Sequence, residues 1–308
     1  MSSNNNQVLK AVLMAVLATL IWSGNFIVAR GISTQVPPVS LAFFRWLTAT
    51  VVISVMAMKH IPNSLLLLKQ HWKYLLLVAF FGITTYNTLI YVAGHYIPAI
   101  NLALIGTTSS PVFSIILAAI ILKEHISALK LTGLLLCIAG ILVLLSKGSL
   151  NTLIHFHFSP GDWWILTAAF MFAVYNILVR KKPSGIGSLP FLWTTFVLGT
   201  LMLLPAFIAE RSYQPAINWS PSLVMIVLYL GIGNSVICYL LWNFSISHLG
   251  AGRTALFGNL IPLFSSIEAL IILKEKISWI HGLSAVLVIS GLVLANLAIK
   301  KPPVSNKF

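Results

Sequence analysis

Acidic side chains are almost missing from this chain. Its 308 residues hold five Asp and Glu against 19 Lys and Arg, and all four charged types together make up 8%. Soluble domains carry about a quarter charged residues. A water-soluble fold of this length could not cover its surface with so few. Cysteine is scarce too: Cys137 and Cys238 both lie inside apolar runs, which suits small core residues rather than a disulfide or a metal site. Histidine pairs once, as His155 and His157, but two His without a third ligand read as an ordinary loop. No metal or cofactor is expected. Nucleophilic or metal-assisted chemistry needs a base or a ligand cluster. Glu268 is the one carboxylate well inside an apolar run, so an enzyme is disfavoured.

What is abundant is apolar sequence, 58% of the chain with mean hydropathy +0.97. Ten runs are long enough to cross a bilayer as helices, near 9–29, 39–58, 73–94, 100–121, 127–146, 162–180, 189–209, 221–245, 253–273 and 279–299. The expected class is an all-α integral membrane protein. The first run follows Lys10 in the manner of a signal peptide, but it continues to Ala29 and reads as the first span. Short joints rich in Pro, Gly and charge separate the runs.

The net charge of +14 does not point to nucleic acid. The basic residues are scattered between spans, where the positive-inside rule places them. Alternate loops receive 13 on one side (Lys10, Lys59, Lys69, Lys73, Lys123, Lys130, Arg180, Lys181, Lys182, Arg253, Lys300, Lys301, Lys307) and 5 on the other (Arg30, Lys147, Arg211, Lys274, Lys276). Both termini are expected in the cytoplasm, and the Arg180–Lys182 run is an anchor. Arg45 falls inside a span.

One heptapeptide occurs twice, ILKEHIS at 121–127 and ILKEKIS at 272–278. The offset of 151 also relates Pro111 to Pro262, Phe113 to Phe264, Ser114 to Ser265, Gly140 to Gly291 and Asn25 to Asn176. It slips around the third and eighth spans, where FGI at 81–83 faces LGI at 230–232, as an indel of two residues would produce. The chain reads as two five-span units, 1–150 and 151–308. Five is odd, so the second unit is inverted, a recurrent transporter architecture. The heptapeptide itself is compatible with a plain polar turn.

The stretch SHLGAGRTALFGNLIPLFSSIEALIILKEKISWIHGLSAVLVISGLVLA (247–295) resembles the drug/metabolite transporter superfamily, EamA type. The stretch near 96–145 resembles it more loosely, and LIWSGNFIVAR (20–30) resembles the family's first helix. The resemblance implies ten helices, cytoplasmic termini and export of small metabolites such as aromatic or other amino acids. It also notes Lys123 and Lys274 where the family often has Gly.

Helical spacing then nominates faces. Ala11, Ala15, Ala18, Trp22, Asn25 and Ala29 form one stripe, and Ala169, Ala173, Asn176 and Arg180 its counterpart. Such stripes suit close packing or a lined path. Thr84, Thr88, Tyr91 and His95, flanked by Tyr86 and Asn87, make the most polar face. Asn234, Tyr239, Trp242 and Asn243 supply the eighth span. Mid-helix Pro111 and Pro262 follow Thr107, Thr108 and Asn259, either as local satisfaction of a freed carbonyl or as a break at the binding level.

Trp22, Asn25, Thr84, Tyr86, Asn87, Thr88, Tyr91, Thr108, Asn176, Asn234, Tyr239, Trp242 and Asn259 are therefore the candidate substrate contacts. Arg45 and Glu268 both lie roughly 9 Å below the outer surface at about 1.5 Å per residue. That equal depth favours a structural ion pair, with proton coupling by Glu268 alone as the rival. The expected function is a secondary carrier moving a small amphipathic metabolite outward across the inner membrane by alternating access. A channel-like facilitator or multidrug-type exporter is the alternative. The expected partners are the substrate, the lipid bilayer and, as coupling ion, a proton.

The orientation has a direct test. A single cysteine at Ser64 should react only with membrane-permeant maleimides in intact cells, and one at Ser149 should react with impermeant reagents. Outside labelling at Ser64 would overturn the charge-based orientation.

Overall fold

The computed structural model describes residues 2–123, 126–149, 151, 158–249, 254 and 257–297. Glu124, the His155/His157 pair and Arg253 lie outside them. Every regular element among the described residues is helical: α1 (Ser2–Gly31), α2 (Pro38–Ala57), α3 (Ile61–Gln70), α4 (Trp72–Gly94), α5 (Ala99–Ile121), α6 (Ala128–Leu145), α7 (Pro160–Arg180), α8 (Ser188–Tyr213), α9 (Pro221–Ile246), α10 (Gly258–Ile272) and α11 (Trp279–Leu297). Eight are long and apolar enough to cross a membrane, and α10 and α11 are shorter apolar helices. The sequence reading missed α3, a short helix that fills the expected second loop. It starts at Ile61, with Pro62 in its first turn, where proline is well accommodated.

Both α4 and α9 are wound as π-helix over part of their length, Phe80–Thr85 and Tyr229–Ile237. These are the places where the internal repeat slips. A π segment departs from regular winding without ending the helix, and both copies carry one here. The hydroxyl of Thr85 reaches the carbonyl of Phe80 and that of Ser235 reaches Leu230, each five residues back.

The packing is reciprocal. α4 lies against α7 and α8, and α9 lies against α1 and α2. α5 packs on α7, and α10 packs on α1. Each pair maps onto the other through the 151-residue relation. Three contacts pair an element with its own equivalent: α2 with α8, α5 with α10, and α6 with α11. In the last, Gly140 abuts Ser284 and Val288, while Gly291 abuts Gly133 and Cys137. Each of those neighbours is the 151-residue equivalent of the other. Ser284 donates to the Gly140 carbonyl at 2.7 Å. Small residues let the two backbones meet, which is how helices associate where lipid removes the hydrophobic drive.

The repeated heptapeptide is more than a turn. Glu275 accepts from the backbone N–H groups of Ala99 (2.8 Å) and Ile100 (3.1 Å). It caps α5, whose preceding Pro98 offers no side-chain cap. Glu210 does the same for α2, accepting from Val39, Ser40 and the Ser40 hydroxyl at 2.6–3.1 Å. A carboxylate at a helix N-terminus meets both unpaired N–H groups and the positive end of the dipole. Lys123 and Lys274 have φ of 55° and 56°. This is the left-handed conformation that glycine adopts most readily, and here lysine holds it at both turns.

The α6–α11 seam predicts a sharp contrast. A Cβ on Gly291 would sit 2.5 Å from the Gly133 carbonyl, whereas one on Gly282 meets nothing within 4 Å. Gly291→Leu should therefore abolish most folded yield by fluorescence size-exclusion chromatography, and Gly282→Leu should leave it near wild type.

Candidate functional site

α1, α2, α4 and α9 converge on one side chain. The Arg45 guanidinium is buried and donates through Nη1 to Asn25 Oδ1 (2.7 Å), Asn87 Oδ1 (2.9 Å) and the Tyr91 hydroxyl (2.8 Å). Its Nη2 donates to Asn234 Oδ1 (2.7 Å) and its Nε to the Ser235 hydroxyl (2.9 Å). Tyr91 in turn donates to Asn25 Oδ1 at 3.0 Å. All five partners are buried. The helix windings place them there. Asn87 follows the π segment of α4, and Asn234 and Ser235 lie within that of α9. Gly231, one turn earlier, lets α9 approach the Arg45 carbonyl and Thr48, where a Cβ would clash at 2.5–3.0 Å.

Four of the expected contacts thus meet around a residue expected to play a structural or coupling part. Every partner is a neutral oxygen. A buried guanidinium retains its charge and prefers a carboxylate or phosphate; here amides and hydroxyls from three other helices replace the anion. The expected ion pair with Glu268 is not formed. Glu268 accepts from the Ser23 hydroxyl at 2.8 Å, while Asn25, two residues along α1, serves Arg45. Two residues turn about 200° around a helix, so α1 stands between the charges. Whatever their depth, azimuth separates them.

The other expected contacts divide. Trp22 donates to the Asn234 carbonyl at 3.0 Å and meets Trp242 at 5.0 Å between ring centroids. Tyr86 stacks on Phe172 at 4.3 Å, Phe172 on Tyr175 at 5.5 Å, and the Tyr175 and Tyr239 hydroxyls share a 2.6 Å hydrogen bond. An aromatic run therefore leads away from α4 across α7 to α9. Thr84 and Thr88 spend their hydroxyls on backbone carbonyls of Gly199 and Thr84, as helix packing predicts. Asn176 does not mirror Asn25; among the described residues it reaches Ser114, at 3.4 Å. Thr108 and Asn259 keep a buried polar atom without a partner, on α5 and in the 3₁₀ turn that opens α10. A cavity of about 350 Å³ lies elsewhere, where the α1–α2 and α8–α9 connections meet His95.

Ser23 and Ser235 escaped the sequence reading because serine in an apolar helix is usually satisfied locally. Phe196 occupies the position equivalent to Arg45, so the repeat gave no second guanidinium to compare.

Comparison with known proteins supplies the context. The model of the EamA-like transporter family matches residues 9–146 and again 159–297. An uncharacterized transporter of Archaeoglobus fulgidus is 29% identical over 290 residues, 92% of this chain and 96% of that protein. A probable amino-acid metabolite efflux pump of Escherichia coli is 27% identical over 292 residues, 92% of this chain and 93% of that protein. A solved crystal structure with 19% identity aligns at TM-score 0.63 over 93% of this chain and 96% of its own, a likeness of fold alone.

The cluster predicts unequal losses from two asparagines that the repeat makes equivalent. Asn25→Leu removes an acceptor from a buried cation and should lower unfolding free energy by about 2–3 kcal/mol, since hydrogen bonds to charged groups are worth about 1.5–3. Asn176→Leu should cost about 1 kcal/mol or less, as for a single long neutral bond. Thermal unfolding in detergent ranks them.

Proposed function

The chain belongs to the EamA-like transporter family, and from that premise we propose that it carries a small metabolite bearing a carboxylate, an amino acid or a close analogue, outward across the cytoplasmic membrane by alternating access. The observation that supports this reading is the Arg45 guanidinium, buried between helices of both repeats with neutral oxygens as its partners. A substrate carboxylate offers it a charge-assisted, two-pronged bond roughly twice as strong as a neutral one. Asn25, Asn87 and Asn234 hold the guanidinium until that exchange and take it back after release, so the empty site does not leave a bare charge in an apolar interior.

The aromatic groups suit the rest of an amphipathic solute. Trp22 with Trp242, and the run from Tyr86 to Tyr239, offer ring faces with polar tips. The amino-acid metabolite efflux named for the Escherichia coli relative agrees with a carboxylate-bearing cargo. In this reading the two halves, 1–150 and 151–308, are inverted, both termini are cytoplasmic, and the reciprocal packing of α1 with α9 and α4 with α7 is the seam along which the halves exchange.

The test is pairwise ligand recognition. Phenylalanine and leucine should raise the unfolding temperature of purified protein, because a ligand that binds only the folded state stabilises it. Phenethylamine and isoamylamine, which lack the carboxylate, should not. Arg45→Lys, a point charge without the planar fork, should lose at least about tenfold in affinity, equal to about 1.4 kcal/mol. Equal shifts from acids and amines would exclude the carboxylate reading.

A further inference from the structure

The few acidic residues have nearly all been spent on helix ends. Of the four described, Asp162 closes a capping box with Ser159 at the start of α7, Glu210 caps α2 and Glu275 caps α5. Glu268 is the exception. It sits in mid-α10, flanked by the apolar IPLFSSIEALII sequence. One carboxyl oxygen lies 2.8 Å from the Ser23 hydroxyl, whose one proton it shares with the Leu20 carbonyl at 2.6 Å, and the other, Oε2, is buried with no partner among the described residues. An ionised carboxylate held that way lacks both a countercharge and half its hydrogen bonds, a costly arrangement in an apolar interior. Protonation removes the charge and turns the orphan oxygen into a hydroxyl.

The repeat shows that this is a local addition to the shared scaffold. The 151-residue equivalents of Glu268, Ser23 and Arg45 are Leu117, Val174 and Phe196. All three polar groups are confined to one of the two equivalent places, and α1 joins them. Ser23 faces Glu268 and Asn25 faces Arg45. Between these, the Ile21 carbonyl accepts from Asn234 Nδ2 at 2.9 Å and from the Tyr229 hydroxyl.

We infer that Glu268 is a proton-binding carboxyl whose loading and release is communicated through the Ile21–Asn25 turn of α1 to the Arg45 site. The surroundings leave few rivals. The titratable group that faces it from α9 is Tyr229. α5 carries none between Ala99 and Ile121. α1 contributes only Lys10 and Arg30, near its two ends, and Arg45 lies behind α1. A proton taken from one aqueous side by the carboxylate and given up to the other exchanges no electrons and needs no co-reactant. Loading removes the negative charge that faces α1, and with it the ionised acceptor that holds Ser23. The helix that presents Asn25 to the guanidinium is then free to turn or slide.

The coupling part rests on the carrier reading above, and two experiments separate the failures. The first needs no substrate. Wild-type protein in liposomes is treated with dicyclohexylcarbodiimide, which reacts with protonated carboxyls in apolar surroundings, and peptides are mapped by mass spectrometry. Glu268 should carry the adduct, increasingly as pH falls. Ser23→Ala removes the donor that favours the ionised form and should move the midpoint up by about half a pH unit or more. No adduct, an adduct independent of pH, or an unmoved midpoint overturns the proton site. The second measures labelled phenylalanine in the same liposomes. Glu268→Gln should keep counterflow and lose the acceleration given by a pH gradient; unchanged acceleration overturns the coupling. Absent counterflow in wild type would refute the amino-acid reading, and the carbodiimide titration would still decide Glu268.

Discussion

A guanidinium that cannot lose its charge, set in an interior that cannot hydrate it, imposes the arrangement of four helices. Arg45 requires five oxygens within reach. They come from α1, α4 and α9, and two of those helices, α4 and α9, change to π winding beside it. Gly231 gives up its side chain so that α9 can come close. The apolar drive that assembles soluble cores is absent between lipid-facing helices. Directional bonds to one buried cation therefore fix the relative positions of elements from both halves of the chain.

The same shortage of water explains how the acidic residues are used. Helix N-termini expose unpaired N–H groups, and proline before α2 and α5 removes the usual side-chain cap. Glu210, from the last turns of α8, and Glu275, from the turn after α10, meet them. Each cap ties the start of one span to the end of another, so these carboxylates are joints of the scaffold. Glu268 stands apart because its neighbour is a single hydroxyl on α1.

Symmetry and its breaking divide the molecule into scaffold and machinery. Equivalent residues meet across α6 and α11, where Gly140 and Gly291 allow backbone contact, and the Ser284 hydroxyl, opposite Gly133 in the other copy, bonds only to the Gly140 carbonyl among the described residues. Around α1 the halves differ at Ser23, Arg45 and Glu268, whose counterparts are apolar. Under the proposed alternating access, one charged site serves both sides of the membrane in turn. A second copy of the guanidinium would add an unpaired charge in lipid-like surroundings without adding a second route.

Hydropathy and periodicity determined the class of fold and most of the helix spans, because lipid leaves the backbone one way to satisfy its hydrogen bonds within a single chain segment; the repeat was legible in the recurring heptapeptide and the residues matched at its offset. The sequence also named Asn25, Asn87, Tyr91 and Asn234, since polar groups in apolar helices need partners wherever they fall. It placed Arg45 and Glu268 at one depth, because rise along a helix is fixed at about 1.5 Å per residue. It could not say which face of α1 each would meet. Azimuth around a bundle depends on how side chains of several helices interlock. Only the tertiary structure turned Asn25 toward Arg45 and Ser23 toward Glu268, left Asn176 outside the cluster, and sent Glu210 and Glu275 to helix ends far away in sequence. Those choices are made by contacts that exist once the helices have packed, and no spacing within one helix encodes them.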